Sequence, residues 1–287
     1  MNYMELQHDG YWNVEGGMYT IAETMVKKLE EKGVKFHFNT PIVSAKYSGE
    51  KFESFIDQHG KEWTADAYVV NADAAAFRGK LFGRKKFDEA HLDRLHWTLA
   101  PLTIYLGVRG QISSLHHHNY FLGNNFREYA DTIFKTSVAP QKPYYYVNVS
   151  SKSNEQCAPP GCENIFILCP VPDLRFKPDW KDAETFADQI VGDLSGRIGF
   201  NLREQTVTRT VLSPVNWMND FGLYKGSGLG LAHGMNQVGG FRPANRDEVF
   251  KNIFYVGAST VPGTGLPMVI ISSKLATERI ESYVRTL

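Results

Sequence analysis

One stretch near the carboxyl end, residues 252–279 (NIFYVGASTVPGTGLPMVIISSKLATER), constrains the fold more than any other. Ile253, Phe254, Tyr255 and Val256 form a short apolar run that stops at Gly257, which reads as a buried strand. A loop punctuated by glycine and proline follows, and a long helix opens near Leu266 or Pro267. Pro267 suits a first helical turn, where its missing N–H costs nothing. Met268, Ile271, Ser272, Leu275, Ala276 and Ile280 then recur at helical spacing, so this helix has one face to bury. Gly257, Gly263 and Gly265 would let backbone approach a flat or phosphorylated ligand, with helix amides aimed into the turn.

Strand, glycine turn and helix also occur in many α/β proteins as an ordinary connection. The particular residues say more, because GASTVPGTGLP before a terminal helix resembles the C-terminal flavin-contacting motif of the phytoene desaturase family of FAD-dependent carotenoid desaturases. The resemblance extends to residues 14–17 with Met18 and Tyr19, and to residues 117–121, 170–172, 225–233 and 237–245, so it runs nearly end to end. It implies that Gly16, Gly17, Gly257, Ala258, Gly263, Gly265, Leu266, Pro267 and Met268 contact FAD. Gly16-Gly17 would lie close to the flavin ring, since a residue without Cβ leaves room for a planar ring against backbone. Read without the resemblance, the same pair merely starts a helix.

A chain of 287 residues with 43% hydrophobic content can bury a substantial core, as one large domain or two ordinary ones. Lys+Arg 31 against Asp+Glu 31 leaves no net charge, which argues against a nucleic-acid partner and against a polybasic membrane anchor. Three cysteines, Cys157, Cys162 and Cys169, cannot all pair and lack a C-x-x-C spacing, so a disulfide scaffold and a zinc site are both disfavoured and a cytoplasmic location is favoured. No run of about 18 apolar residues offers a membrane span. Nor does any strand lead into G-x-G-x-x-G with an acidic residue about twenty positions later. The resembling family carries that fingerprint in an N-terminal unit, so the chain looks like the C-terminal portion of a larger protein, inactive alone.

The expected fold class is α/β: a partial FAD-binding domain of the glutathione-reductase-like, amine-oxidase type, residues 1–75 and 245–287, plus a mixed-sheet α+β substrate domain, residues 76–244. In the first, a turn over residues 11–17 precedes a helix with Met18, Ile21, Ala22, Met25 and Leu29 on one face, packed on a sheet and closed by Gly33. Val34, Phe36 and Phe38 alternate with Lys35 and His37, which predicts a strand ended by Pro41. Residues 42–47, 52–57 and 62–70 read as three strands of a meander, the third returning to the nucleotide-binding sheet before Asp73 caps a helix over 74–81. In the second, strands are expected at 98–108, 118–122, 144–149, 165–171 and 206–212. Helices are expected at 125–134 and from Asp179, the latter burying Phe186, Ile190, Val191, Leu194 and Ile198.

His116, His117 and His118 invite a metal reading, but consecutive strand residues point to opposite faces and no carboxylate or thiol adjoins them. The resemblance makes His117, His118 and Asn119 candidates for shaping a substrate channel. Arg242, in the Q-x-x-x-F-R-P segment, is either a channel guanidinium near the flavin or a surface arginine before a turn proline. What the resemblance implies chemically is removal of two hydrogens from adjacent carbons of an apolar isoprenoid, with the cofactor carrying the redox step and the protein an apolar tunnel. The 18 Phe and 14 Tyr, Tyr144, Tyr145 and Tyr146 among them, supply material for such a lining or for ordinary core. A lipid-dissolved substrate leads one to expect peripheral membrane contact. Saturation of a retinoid, oxidation of another apolar substrate, and a non-catalytic apolar-ligand-binding module remain open beside the desaturase reading.

Overall fold

The computed structural model describes His8, Gly10 and residues 12–287; Tyr11, at the head of the expected turn, lies outside them. Helix α1, Tyr19–Glu31, forms where the helical spacing predicts it, and Gly33 follows in the left-handed region at φ +83°. Its expected packing on a sheet does not occur. No residue of α1 is buried, and Met25 is 56% exposed. The strand expected over 34–38 is also absent, because alternation makes a strand only where a neighbour completes the ladder, and no described strand lies beside it.

Strands β1 (Ile42–Ser48), β2 (Lys51–Asp57) and β3 (Glu62–Trp63) form an antiparallel meander in that order. The predicted third strand breaks after Trp63, and its apolar end, β4 (Tyr68–Val70), leaves to pair in parallel with β10 (Ile253–Tyr255). One core joins the meander to this parallel pair, with Phe52, Phe55, Tyr68, Val70 and Tyr255 among its members. Asp73 then caps helix α2 (Ala74–Phe82), its carboxylate accepting from the Ala75 and Ala76 amides as the sequence leads one to expect. Helix α2 sends Ala74 and Phe82 into that core and Ala75 into a second cluster with Phe87, from the short turn before helix α3 (Glu89–Leu92), and with Trp97 and Leu231.

The second core rests on a five-stranded sheet ordered β6-β7-β8-β5-β9, from β5 (Ala100–Arg109), β6 (His118–Phe121), β7 (Tyr145–Asn148), β8 (Cys162–Val171) and β9 (Thr206–Leu212). The α+β character stands, but the expected mixture of strand directions does not: every pairing is antiparallel. The physical reason is the position of β5. Strands β8 and β9 both run against it, so helix α5 (Ala183–Ile198) crosses from one to the other over the strand between them, a split βαβ unit. On β5 the alternate residues Leu102, Ile104, Leu106 and Val108 are buried under α5, which contributes Phe186, Ile190, Val191 and Leu194. Helix α4 (Phe126–Lys135), capped by Asn125, and the short helices α6 (Leu202–Gln205) and α7 (Pro214–Phe221) complete this half. The chain ends in helix α8, Leu266–Val284. Among the described residues no helix is long and apolar enough to cross a membrane.

Candidate functional site

The bend between β10 and α8 is held from one side and open on the other. Val256 donates to Val70 O at 3.0 Å, which keeps the bend at the carboxyl ends of the two parallel strands. Asn245 Nδ2 reaches Tyr255 O, Val261 O and Ser272 Oγ, and Thr260 Oγ1 donates to Pro243 O at 2.7 Å. Arg242 closes that side. Its guanidinium donates to Ala258 O at 2.7 Å, Thr260 O at 3.0 Å and Leu231 O at 3.1 Å, and more distantly to Ala232 O and Gln237 O. At 3% exposure it is neither a channel residue nor a surface arginine, because every contact it makes is to carbonyls behind the bend. Burial lowers its pKa, and the charge of buried Asp73 opposes that shift.

The three glycines of the bend serve different ends. A Cβ on Gly257 would collide with Asn71 Oδ1, and one on Gly263 with the His233 ring, so both are glycine because the chain itself fills the space. Gly265 differs: at φ +113° it has nothing within 4 Å of where a Cβ would stand. Leu266 beside it is 59% exposed, and α8 opens with Pro267 in its first turn. The amides of Leu266 and Met268 belong to the first-turn set that a helix cannot satisfy internally.

The opening glycine pair sits against the other half of the molecule. Gly16 and Gly17, at φ +79° and +96°, turn the chain through a Gly17 N–H to Val14 O bond of 2.9 Å. Asn154 Nδ2 donates to Val14 O at 2.9 Å and Gln156 Nε2 to Glu15 Oε1 at 3.2 Å. A Cβ on Gly17 would stand 3.6 Å from Cys157 Sγ. Cys157 in turn lines a groove of about 400 Å³ over the uncovered face of the five-stranded sheet, with Tyr105, Gly107, Phe166, Val207 and Thr208.

That face is aromatic, and strand alternation explains why. Residues between the buried positions of β5, β8, β7 and β6 point away from α5, which brings Tyr105, Phe166, Tyr146 and Tyr120 into one row. Neighbouring centroids are 5.2 Å apart for Tyr105 and Phe166, 6.4 Å for Phe166 and Tyr146, and 5.1 Å for Tyr146 and Tyr120. Tyr105 pairs directly with Phe166 and Tyr120 with Tyr146, the unit contact of a sheet face. Sequence reasoning singled out the tyrosine cluster at 144–146 but missed Tyr105, Phe166 and Tyr120. The signal was available, since Tyr105 breaks the apolar alternation on the side opposite Ile104.

His118 joins this row. Its Nδ1 lies 2.6 Å from Tyr146 Oη, which also accepts from Asn148 Nδ2, leaving the phenol proton for the imidazole. Burial raises the Tyr146 pKa, so the phenol keeps that proton. His117 instead bonds Ser153 Oγ, and its own pKa is lowered by burial and by His118. Asn119 turns inward and spends its amide on His116 N–H, His116 O and Val147 O. Although the His117 and His118 rings stand 4.3 Å apart, no group of three or more His, Cys, Asp or Glu among the described residues could hold a metal ion. The three cysteines are free, and burial pushes the Cys169 thiol up to about 12.

Known proteins resemble this chain in sequence and in fold. A family model described as flavin containing amine oxidoreductase matches residues 1–281. The chain is 34% identical over 276 residues to a zeta-carotene-forming phytoene desaturase of Myxococcus xanthus, a match covering 96% of this chain and 53% of that protein. It is 30% identical over 296 residues to a phytoene desaturase of Neurospora crassa, covering 98% and 49%. The chain therefore spans about half the length of the curated relatives it matches. Among solved structures, an oxidoreductase from Methanosarcina mazei shares the fold with a TM-score of 0.56 at 16% identity, over 92% of this chain and 55% of that one.

Proposed function

The chain belongs to the flavin containing amine oxidoreductase family, and on that premise we propose that it supplies flavin-facing and substrate-facing parts of an FAD-dependent carotenoid desaturase acting on a precursor such as phytoene. FAD is the cofactor that the family and the desaturase relatives imply. A bound flavin would supply the redox chemistry as hydride acceptor, and the residues of this chain would hold the ring and align the hydrocarbon against it. Residues 1–75 and 245–287 form the flavin side in this reading, and residues 76–244 the substrate side.

Supporting the flavin side is backbone that a ring can approach at Gly265, which is open where a side chain would stand; Gly16 is exposed beside Gly17, but a Cβ there would stand 2.9 Å from Thr20 Oγ1. First-turn amides of α8 offer donors to an electron-rich ring edge or a phosphate. The observation that carries the substrate side is the row Tyr105, Phe166, Tyr146 and Tyr120, which borders the groove ending at Cys157 next to Gly17. A row of mutually tilted aromatic rings suits a long apolar isoprenoid: it offers dispersion contacts along the chain's length, with gaps between rings for its methyl branches. Its role would be to align the chain and exclude water while the cofactor reacts. Since such a substrate dissolves in lipid, peripheral contact with a bilayer belongs to the same proposal.

The experiment is expression of the full reading frame that encodes these residues, followed by flavin absorbance and product analysis with phytoene and partly desaturated carotenes. A yellow protein that lengthens the conjugation of phytoene is expected. Flavin without carotene turnover, but with retinoid saturation, would move the substrate assignment. A colourless protein that binds carotenes would sink the enzymatic reading altogether.

A further inference from the structure

His233 lies in the glycine-rich segment that the function so far leaves unused, and its ring meets the bend directly. Thr264 N–H points at His233 Nε2 at 3.3 Å, and Thr264 Oγ1 is 3.4 Å from the same nitrogen. Gly263 has no room for a Cβ because the edge of that ring occupies the space. A backbone amide can only donate, so Nε2 must carry a lone pair, which places the ring proton on Nδ1. We propose that His233 is a positioning residue: in its neutral Nδ1–H form it accepts the Thr264 amide and fixes the bend that presents Gly265 and the first turn of α8.

The segment carrying His233 is anchored on the substrate side, to the residues that lead into β5. Thr98 N–H donates to Gly230 O at 3.0 Å, Gly228 N–H to Leu99 O at 2.9 Å and Ala232 N–H to His96 O at 2.9 Å, immediately before β5 begins. His233 thus ties the start of the substrate-side sheet to the flavin-side bend across one hydrogen bond. Protonation would break the tie twice over. It would set an N–H against the Thr264 N–H, and it would add a cation near Arg242, whose guanidinium binds the adjacent Ala232 carbonyl. The charged neighbours are Arg242 and, beyond it, buried Asp73; the bend itself contributes only Gly263 and Thr264, and the paired strand offers the His96 carbonyl. Burial first, and Arg242 second, hold the His233 pKa below its ordinary value. With the folded value depressed, the contribution of the neutral ring is complete above the unfolded value of about 6.5 and is lost as pH falls through the folded one.

The consequence for flavin rests on the cofactor reading above, so the test has two readouts. The first is nitrogen-15 NMR of the imidazoles without flavin, with the His233 signal assigned by its loss in His233→Gln. An Nδ1–H tautomer that protonates below the ordinary range is expected. The second is flavin retention between about pH 5 and pH 8. Retention by the unsubstituted protein should fall with pH, whereas His233→Gln, whose amide oxygen can accept from Thr264 without titrating, should flatten the profile. His233→Phe should weaken retention about tenfold near pH 8, the ratio for one lost backbone hydrogen bond, and the deficit should shrink as pH falls and the unsubstituted ring loses the same bond. An Nε2–H tautomer, or a His233→Gln profile as steep as the original, overturns the proposal. The expected tautomer in a protein that takes up no flavin at any pH supports the positioning role and sinks the cofactor reading instead.

Discussion

Three glycines in nine residues carry different physical loads, and substitution separates them. Gly257→Ala sets a methyl against Asn71 Oδ1 at φ +99°, so strain and a steric clash fall together at the end of a buried parallel strand. About 2–4 kcal/mol of stability should be lost, visible as a lower thermal midpoint with or without flavin. Gly265→Val places its Cβ where no atom lies within 4 Å and carries the conformational strain of a positive φ, about 1–3 kcal/mol, yet it enters the space proposed for the ring. Flavin retention should fall by far more than stability, and unchanged retention would remove this bend from the cofactor site. Arg242→Met deletes donors to five carbonyls from a buried position and should cost about 3 kcal/mol, read by denaturant unfolding. The sequence placed Gly265 in a glycine-rich turn before a helix, and the structure has it there, immediately before α8. Sequence alone could not show what Arg242 and His233 do, because their partners lie in segments that only the folded chain brings near.

Helices and strands were readable where local signals and tertiary context agree. Residues 206–212 form β9 as predicted, and Asp73 caps α2, since period-two alternation and an N-cap are local devices. Residues 34–38 carry the same alternation and remain unpaired, and the direction of each pairing in the five-stranded sheet is set by crossovers that no single strand encodes. The uncovered face of that sheet gives a prediction of its own. Phe166→Ala removes the ring between Tyr105 and Tyr146 without touching the face under α5. If the proposed desaturase reading holds, carotene KM should rise several-fold, since an aromatic contact contributes about 1 kcal/mol, while flavin retention stays as it was. A second prediction concerns the link between α2 and residues 247–248. Arg78, wholly buried, and Arg84 engage Asp247 and Glu248. Burial raises the Asp247 pKa, but donors from Arg84, Phe250 and Tyr255 outweigh it and leave the carboxyl below its ordinary value. A depressed carboxyl stabilises above its unfolded value of about 3.9 and loses that contribution as pH falls through the folded value. Asp247→Asn should therefore destabilise at neutral pH and flatten the acid limb of the stability profile, measured by urea midpoint against pH.

At the scale of the molecule, stability is expected to be uneven, and the unevenness follows from which apolar faces find cover. Strand β5 is paired with β8 along its whole length and with β9 from Thr103 to Val108, and has Leu102, Ile104 and Val108 wholly buried beneath α5. Its amides can exchange only through an opening that dismantles the larger core. Helix α1 is the opposite case. Its apolar positions were legible from spacing, and the sequence could say that they have a face to bury but not what lies against it. With no buried residue, α1 has little beyond its own ladder to hold it, and an isolated helix of its length is marginal in water. Hydrogen exchange should then rank β5 slowest and α1 fastest among the regular elements of these residues. Met25→Glu with Leu29→Lys should leave the unfolding free energy measured in urea within about 0.5 kcal/mol of the original, because neither side chain leaves a packed site. Exchange in α1 as slow as in β5, or a clear loss of stability from the double substitution, would mean that this face is covered in solution.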